Sequence, residues 1–302
     1  MDIQYSVIIP HYNDPIRLER LLKSIPVKRT DIQIIVVDDC SPNQKELLNL
    51  KNEYPQVEWH KTQTNSGAGA ARNVGLAHIR GEYLLFADSD DQFTADAFDI
   101  LDRTLAPGVD LTYYLAEAKI ENSPAPSNRA ARFNNFCLKY LKNKNDKNLI
   151  SLKSEHVVPW AKVYKSNTVK MLGVLYDETR HNDDVAFNVK CALLMRNINV
   201  VPKSIYIIYK IEESLTTQKD LEALLGRLEV LDNLATELKQ MGLEHNLSSA
   251  GYLLRSLAYG PKAFFDVLIL CIRSDLKFDW KRLFSVERWL DFIRINREYN
   301  KK

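Results

Sequence analysis

The 302-residue sequence lacks the features that mark membrane-spanning, secreted and nucleic-acid-binding proteins. Its longest nearly uncharged apolar run, residues 267–272, is far shorter than the roughly 20 residues that cross a bilayer. Its first residues contain no basic segment followed by an apolar one, so we expect no signal peptide. A net charge of +2 is too small to argue for nucleic-acid binding, and no nucleic-acid motif is present.

Cysteine is also scarce. The four cysteines are widely separated and form no Cys-x-x-Cys pair. A chain of this length buries enough apolar surface to fold without disulfides, so we expect free thiols in a reducing cytosol. With 45% apolar and 26% charged residues, the composition is that of an ordinary globular protein rather than a disordered one.

What the first hundred residues do contain is an alternation of apolar runs and helical periodicity. This alternation is typical of a mainly parallel sheet with helices on both faces. We expect strands at residues 5–10, 32–37, 57–60 and 83–87 and helices at 14–25, 44–51 and 66–79.

Beyond about residue 109 the pattern loosens. We expect a strand at 111–116, a mobile loop or lid at 121–132, a helix at 184–194 and a pair of strands between 200 and 210. From residue 213 onwards only helical patterns remain, of which 221–238 is the clearest. The chain accordingly divides into residues 1–107, 108–212 and 213–302.

Three carboxylates, Asp88, Asp90 and Asp91, directly follow the fourth strand-like run. They repel one another unless a cation or a ring of donors compensates. An Asp-x-Asp at a strand end can hold Mg²⁺ or Mn²⁺ together with phosphate oxygens. The alternative is a solvated acidic turn that caps the helix beginning near Thr94.

Three further segments accompany this acidic turn. Residues 5–13 end the first strand in Pro10-His11-Tyr12-Asn13, a rim on which a planar base can stack. Residues 35–41 offer Asp38 and Asp39 as acceptors, and residues 67–75 supply the cation of Arg72. Because ligands bind beyond the carboxyl ends of parallel strands, we expect these groups to share one cleft.

In this order the four segments resemble the inverting nucleotide-sugar glycosyltransferases of family 2, strongly over residues 1–95 and more loosely over 158–212. The resemblance implies an α/β fold of the GT-A type. This fold is a Rossmann-like, mixed and mainly parallel sheet flanked by helices, here with a C-terminal helical extension. It also implies a donor-binding half at 1–107, an acceptor-binding half at 108–212 and a helical region at 213–302.

The resemblance further implies the residues of the donor site. Nucleotide-sugar contacts are expected at Pro10, Tyr12, Asn13, Asp38, Asp39, Arg72, Asp88 and Ser89. Among them Tyr12 and Asp39 correspond to base contacts, and Arg72 to an arginine near the uracil or the diphosphate. Mn²⁺ or Mg²⁺ is expected directly on Asp90 and, through water, on Asp88. Asp91 is expected at the helix entry or behind the metal.

An inverting transfer needs a general base, which this family places at an acidic pair before a helix. Residues 176–187 fit, with Asp183 where Glu is commoner, so Asp184 is the candidate base. Which of the two carboxylates acts stays open, and the alternative is that Asn182 and Asp183 simply cap the helix. Acceptor contacts are expected at Trp160, Lys162, His181 and Asp183; for Trp160 a core position, and for His181 an ordinary loop position, are the alternatives.

The resemblance implies a UDP-sugar donor and a hydroxyl acceptor on a glycan or lipid-linked molecule. The expected role is synthesis of a bacterial surface polysaccharide, capsule or lipopolysaccharide, in the cytoplasm or peripherally at the inner face of the plasma membrane. An amphipathic, mildly basic helix at 285–299 is a candidate membrane anchor; packing on its own domain or on a second subunit is as good an interpretation.

Two other functions stay open. One is a phosphohydrolase of the haloacid dehalogenase type, in which an apolar strand also ends in Asp-x-Asp and the first Asp is the nucleophile. The other is a non-catalytic sugar-binding module that retains the fold.

Overall fold

The computed structural model describes residues 2–123, 127–179, 181–210 and 221–279, together with Trp289. The chain divides into two compact units, Met1–Ile211 and Glu212–Lys302. The first unit is α/β, as predicted, and the described part of the second is helical. The division of the first unit into donor-binding and acceptor-binding halves stays a prediction.

The first half of the α/β unit alternates strands and helices, as the periodicity predicts. Its elements are β1 (Tyr5–His11), α1 (Pro15–Ser24), β2 (Ile32–Asp38), α2 (Gln44–Glu53), β3 (Glu58–Lys61), α3 (Ala68–Leu76) and β4 (Tyr83–Phe86). The four strands are parallel and lie in the order β3-β2-β1-β4. Every residue of β1 is buried, as expected for a parallel strand covered on both faces.

The second half extends the same sheet with strands of mixed direction. Its elements are β5 (Gln92–Phe93), α4 (Ala97–Thr104), β6 (Leu111–Ile120), α5 (Ala131–Lys142), α6 (Asp146–Glu155), β7 (Lys162–Lys165), α7 (Ser166–Leu172), α8 (Val185–Leu194) and β8 (Ile198–Lys210). The order continues β4-β7-β6-β8-β5, and β7 runs antiparallel to both of its neighbours.

The prediction of two strands between residues 200 and 210 was wrong, because β8 is one continuous strand. It pairs in parallel with β6 and, on its other side, antiparallel with β5. The register with β6 shifts between the pairs Tyr113–Val200 and Leu115–Ser204. Pro202 lies in this irregular stretch, where a residue without an N–H is tolerated inside a strand.

The segment 121–132 was predicted to be a mobile loop. Its described residues up to 130 lie outside helices and strands, but Ala131 and Arg132 already belong to α5. Its predicted mobility is not tested by the structure.

The core of the first unit forms two layers, one on each face of the sheet, because successive strand residues point to opposite faces. Val7 and Ile9 of β1 belong to the layer that contains Leu21 of α1. Ile8 belongs to the other layer, with Phe187 of α8. The two layers fix the strands in the sheet, and polar turns follow the carboxyl ends of β1, β2 and β4.

The described part of the second unit contains α9 (Leu221–Gln240), α10 (Ala250–Ser256), a short 3₁₀ helix (Leu257–Tyr259) and α11 (Pro261–Arg273). The predicted helix at 221–238 is confirmed. No helix among the described residues is long and apolar enough to cross a membrane. The predicted helix at 285–299 lies outside the described residues except for Trp289.

Candidate active site

The carboxyl ends of β1, β2 and β4 meet at one edge of the sheet. His11, which ends β1, pairs with Asp38 at the end of β2, and its carbonyl accepts a 2.8 Å hydrogen bond from the N–H of Asp39. On the other side of β1, the carbonyl of Ile8 accepts from the N–H of Ala87, which directly precedes the acidic turn. The turns after β2 and β4 therefore flank the end of β1, as the sequence predicts.

Asp39 binds the loop that leads into α3. One carboxylate oxygen accepts hydrogen bonds from the N–H of Ser66 at 3.0 Å and from the hydroxyl of Thr62 at 2.8 Å; the other accepts from the N–H of Gly67 at 2.7 Å. Only 3% of the residue is exposed. Asp39 thus fixes the loop before α3, and its contact with a base stays a prediction.

Asp38 accepts hydrogen bonds from the turn after β2. It is fully buried and accepts from the N–H of Ser41 and the side-chain amide of Gln44, both at 3.1 Å. The hydroxyl of Ser41 in turn accepts a 2.7 Å bond from the N–H of Asn13. Pro10 is buried within β1, whereas the neighbouring Tyr12 is 48% exposed. Tyr12 thus presents an accessible ring at this edge.

Arg72 joins the two acidic regions that the sequence places 95 residues apart, at positions 88 and 183. Its side chain is 6% exposed, and its two terminal nitrogens donate to Asp88 at 2.6 Å and to Asp183 at 2.9 Å. The guanidinium carbon lies 5.2 Å from the centre of the Tyr176 ring. The turn after β4 and the turn before α8 are therefore held by one buried cation.

Gly69 allows α3 to come this close to the turn before α8. A Cβ on Gly69 would lie 2.1 Å from the backbone oxygen of Asp177 and 3.2 Å from the Cβ of Asp183. Gly67, which precedes the helix, has a φ of +91°, in the region that favours glycine. The two glycines are thus required by backbone geometry and by steric contact.

The acidic turn carries more negative charge than its surroundings offset. Burial and then Asp88 raise the pKa of Asp90 to about 6. Burial and then Asp90 raise the pKa of Asp91 well above its usual range, although Asp91 accepts a 2.9 Å bond from the N–H of Tyr209. Ser89 is partly buried in the same turn. This turn would be stabilised by an added cation.

The carboxylates of this turn are candidate ligands for Mn²⁺ or Mg²⁺. In the described part of the chain, no group of three or more His, Cys, Asp or Glu side chains is arranged to hold a metal ion. Asp88 is paired with Arg72 and Asp91 with a backbone N–H, while Asp90 keeps a raised pKa. Carboxylate oxygens are of the type that a hard cation takes together with phosphate oxygens and water, and metal binding by Asp90 and Asp88 stays a prediction.

Sequence reasoning missed a set of basic side chains next to this turn. Arg20 of α1 donates to the backbone oxygen of Asp90 and to Glu121, and its guanidinium carbon lies 4.0 Å from the centre of the Tyr209 ring. Arg129 donates to the backbone oxygen of Tyr209 at 3.0 Å. The periodicity of α1 could have placed Arg20 on the polar face of the helix. Its contacts could not be predicted, because the partners come from three distant segments.

Asp184 is the N-cap residue of α8. Burial and then the adjacent Asp183 raise the pKa of Asp184 to about 7, against the opposing effect of Arg72. A carboxylate that titrates near neutral pH is suited to accept a proton. Burial also raises the pKa of Asp183, which is ion-paired with Arg72, and which of the two carboxylates is the base stays a prediction. His181 is partly buried in the same turn.

The two remaining acceptor candidates lie in the core. Trp160 is 5% exposed and stacks on Tyr206 with 6.1 Å between the ring centres. Lys162 is 1% exposed, and its amine donates to the backbone oxygen of His156 at 2.5 Å and to Asn188 at 3.0 Å. Their contact with an acceptor stays a prediction, and their burial counts against it.

Comparison with known proteins gives partial matches to several glycosyltransferases. Glycosyltransferase GlyA of Streptococcus pneumoniae is 28% identical over 284 residues, which are 86% of this chain and 38% of that protein. The poly(ribitol-phosphate) beta-N-acetylglucosaminyltransferase TarS of Staphylococcus aureus is 38% identical over 96 residues, 30% of this chain and 16% of TarS. The chain thus spans well under two thirds of the length of either relative.

Solved structures show the same fold. The crystal structure of S. aureus TarS 1-349 in complex with UDP-GlcNAc matches 98% of this chain and 80% of that chain, with a TM-score of 0.59 and 20% identity. The mannosyltransferase PcManGT from Pyrobaculum calidifontis, in complex with GDP-Man and Mn²⁺, matches 89% of this chain and 69% of that chain, with a TM-score of 0.51 and 15% identity. These likenesses confirm the predicted GT-A fold.

A family model described as glycosyl transferase family 2 matches residues 6–159, just over half of the chain. The matched region contains the ends of β1, β2 and β4, Arg72 and the acidic turn. The chain therefore belongs to glycosyl transferase family 2.

Proposed function

We propose that this protein is an inverting glycosyltransferase that moves a sugar from a UDP-sugar to a hydroxyl group of a glycan or lipid-linked acceptor. The observation that carries the proposal is the double ion pair of Arg72. It brings Asp88, in the turn after β4, and Asp183, next to Asp184 in the turn before α8, to one guanidinium group. A group that binds the donor phosphates and a group that accepts a proton then belong to one site.

The uridine diphosphate is proposed to bind at the edge formed by β1, β2 and β4. The exposed ring of Tyr12 offers a stacking surface for the base, beside the turns shaped by Asp38, Asp39 and Asn13. The diphosphate is proposed to lie beside Asp88, Ser89 and Arg72. The crystal structure of TarS with UDP-GlcNAc supports a uridine donor, and UDP-N-acetylhexosamines are the first candidates.

Asp90 is proposed to hold Mn²⁺ or Mg²⁺, with Asp88 in support. When bound, such an ion neutralises the charge on a departing diphosphate. The raised pKa of Asp90 supports this role, because burial and Asp88 disfavour its ionised form more than Arg129 and Arg17 favour it. The Mn²⁺ in the related mannosyltransferase structure also supports it.

Asp184 is proposed to take the proton from the acceptor hydroxyl as that oxygen attacks the anomeric carbon. The bond to the diphosphate breaks on the opposite face, and the electron pair leaves with UDP. The product then has the inverted configuration, a β-linkage from an α-linked UDP-sugar. Arg72 holds the neighbouring Asp183 and so keeps this turn beside the donor site.

The acceptor is proposed to be a bacterial surface polymer, processed in the cytoplasm at the inner face of the plasma membrane. The printed names of the relatives support this class, since TarS acts on poly(ribitol-phosphate) and GgaB of Bacillus subtilis is a minor teichoic acid biosynthesis protein. Peripheral membrane contact and a homodimer are also proposed.

The haloacid dehalogenase alternative is excluded by membership of family 2. That mechanism uses the first Asp of the motif as a nucleophile. Here that residue, Asp88, is held by Arg72 at 2.6 Å. The non-catalytic module stays open to experiment.

The test is a panel of UDP-sugars with Mn²⁺, in which thermal stabilisation and release of UDP are measured. We expect one UDP-sugar to raise the melting temperature and to release UDP when an acceptor is added. Stabilisation by non-uridine nucleotides alone would overturn the donor assignment. Stabilisation by a UDP-sugar with no release of UDP for any glycan or lipid-linked acceptor would favour the non-catalytic module.

A further inference from the structure

A buried lysine is linked through Asn188 to the candidate base. Lys162 of β7 is 1% exposed, and its amine donates to the backbone oxygen of His156 at 2.5 Å and to the side-chain oxygen of Asn188 at 3.0 Å. Burying an ammonium group opposes folding unless its partners compensate. An apolar residue of similar length would fill the same space, so the amine itself calls for an explanation.

Asn188 connects this amine to the turn that carries the base. Its side-chain oxygen also accepts a 2.7 Å bond from the hydroxyl of Tyr164, which lies on β7 like Lys162. Its side-chain nitrogen donates to the backbone oxygen of Asp184 at 2.7 Å. Asn188 is fully buried, so these bonds are shielded from water. The side chain is thus oriented by strand β7 at one end and holds the backbone of Asp184 at the other.

The side chain of Asp184 makes no capping hydrogen bond to α8, and the backbone of Asp184 is held by the side chain and the N–H of Asn188. We propose that Lys162 is a positioning residue which, through Asn188, fixes the turn that presents Asp184 to the acceptor hydroxyl. The proposal rests on the proposed function, since it assumes that Asp184 is the base. It also gives Lys162 a role that its burial allows.

The amine also acts on Asp184 by charge. The ionisable groups around Asp184 come from five segments and are Asp183, Arg72, Asp88, Tyr176, Tyr164 and Lys162. Those around Lys162 also include Cys137, Cys191 and His156. Burial lowers the pKa of Lys162 to about 7, while Asp184 opposes this shift. By the same interaction a protonated Lys162 favours ionised Asp184, so removing the amine raises the pKa of Asp184.

The test compares Lys162→Met with Lys153→Met in the full chain. Lys153 of α6 is also buried, and its amine donates to the backbone oxygen of Met195 at 2.8 Å, so it controls for the loss of a buried amine. We expect Lys162→Met to lower kcat about 10- to 100-fold with the donor KM unchanged. We also expect the acid limb of its kcat–pH profile to move to higher pH. Lys153→Met should change the melting temperature alone.

Two further variants separate the possible outcomes. Asn188→Ala keeps the amine but removes the link, so kcat should fall while the acid limb moves less than in Lys162→Met. Asp184→Asn tests the base itself: if it transferred sugar at the normal rate, the proposed function of Asp184 would fall, and with it this inference. If Asp184→Asn were inactive but Lys162→Met and Lys153→Met had the same kcat and pH profile, the positioning role alone would be overturned. If Lys162→Met failed to fold, a normal kcat in Asn188→Ala would overturn the positioning role.

Discussion

At the scale of single residues, the site depends on which atoms of a charged group are used. Arg72 binds two carboxylates through two different nitrogens, a geometry that the planar guanidinium provides and a lysine ammonium does not. Asp183 and Asp184 are neighbours in the chain but differ in their partners. Asp183 is ion-paired with Arg72, which opposes the effect of burial on its pKa, whereas burial and Asp183 raise the pKa of Asp184 to about 7.

We expect Arg72→Lys to reduce kcat/KM for the UDP-sugar roughly 10- to 100-fold, because at least one charge-assisted hydrogen bond is lost. The measurement is steady-state kinetics together with calorimetric binding of UDP. The matched control is Arg80→Lys, whose arginine is 59% exposed and pairs with Glu58 at the surface. An exposed ion pair contributes little, so the control should retain normal kinetics. Equal behaviour of the two variants would contradict the role of Arg72.

We expect transfer to increase with pH through the pKa of Asp184. The proposed base acts in its ionised form, and its raised pKa of about 7 places the change between acidic and neutral pH. The acid limb of kcat/KM should therefore lie near pH 7 rather than near pH 4. Asp184→Asn should bind UDP normally, transfer slowly and lack this limb. A wild-type limb that persists in Asp184→Asn would assign it to another group.

At the scale of elements, the helices and strands form the candidate site by bringing their ends close together. The site uses the ends of β1, β2 and β4, the first turn of α3 and the start of α8. Residue 69 decides how closely α3 approaches the turn before α8, because there is no room for a side chain between them.

We expect Gly69→Ala to lower kcat by more than about tenfold, since a displacement of α3 moves Arg72 relative to Asp183. Gly75→Ala on the same helix is the control, because its Cβ would meet the side chain of Ile8 in the core, away from the site. Both variants should have a lower melting temperature. Only Gly69→Ala should lose activity out of proportion to its loss of stability, which parallel kinetics and thermal melts would measure.

Much of this element layout can be predicted from periodicity. The parallel strands β1 to β4 and the start of α8 follow from runs and helix signals that lie within about 15 residues each. β8 was missed as a single strand because Pro202 interrupts the pattern, and only the bulged pairing with β6 shows how the strand continues. The contacts of Arg20 with Asp90 and Glu121 were out of reach because they join residues 70 and 101 positions apart.

At the scale of the whole molecule, the distribution of charge couples folding to ligand binding. The net charge of the chain is +2, but the turn of residues 88–91 has a local excess of negative charge. The raised pKa of Asp90 means that this turn is most stable with the carboxyl protonated, so its contribution to folding falls as pH rises towards 6. Above that pH the turn gains most from a bound cation.

We therefore expect protons and Mn²⁺ to compete at Asp90. The Mn²⁺ concentration that gives half of the thermal stabilisation in the presence of UDP should be roughly tenfold higher at pH 5 than at pH 7, because the carboxyl must lose its proton to bind the metal. Chelation with EDTA at pH 7 should remove the metal-dependent part of the stabilisation. Asp90→Asn should have a higher melting temperature than the wild type without metal, since the unfavourable charge is gone, and should not respond to Mn²⁺. A pH-independent Mn²⁺ midpoint in the wild type, or an unchanged Mn²⁺ response in Asp90→Asn, would place the metal on other groups.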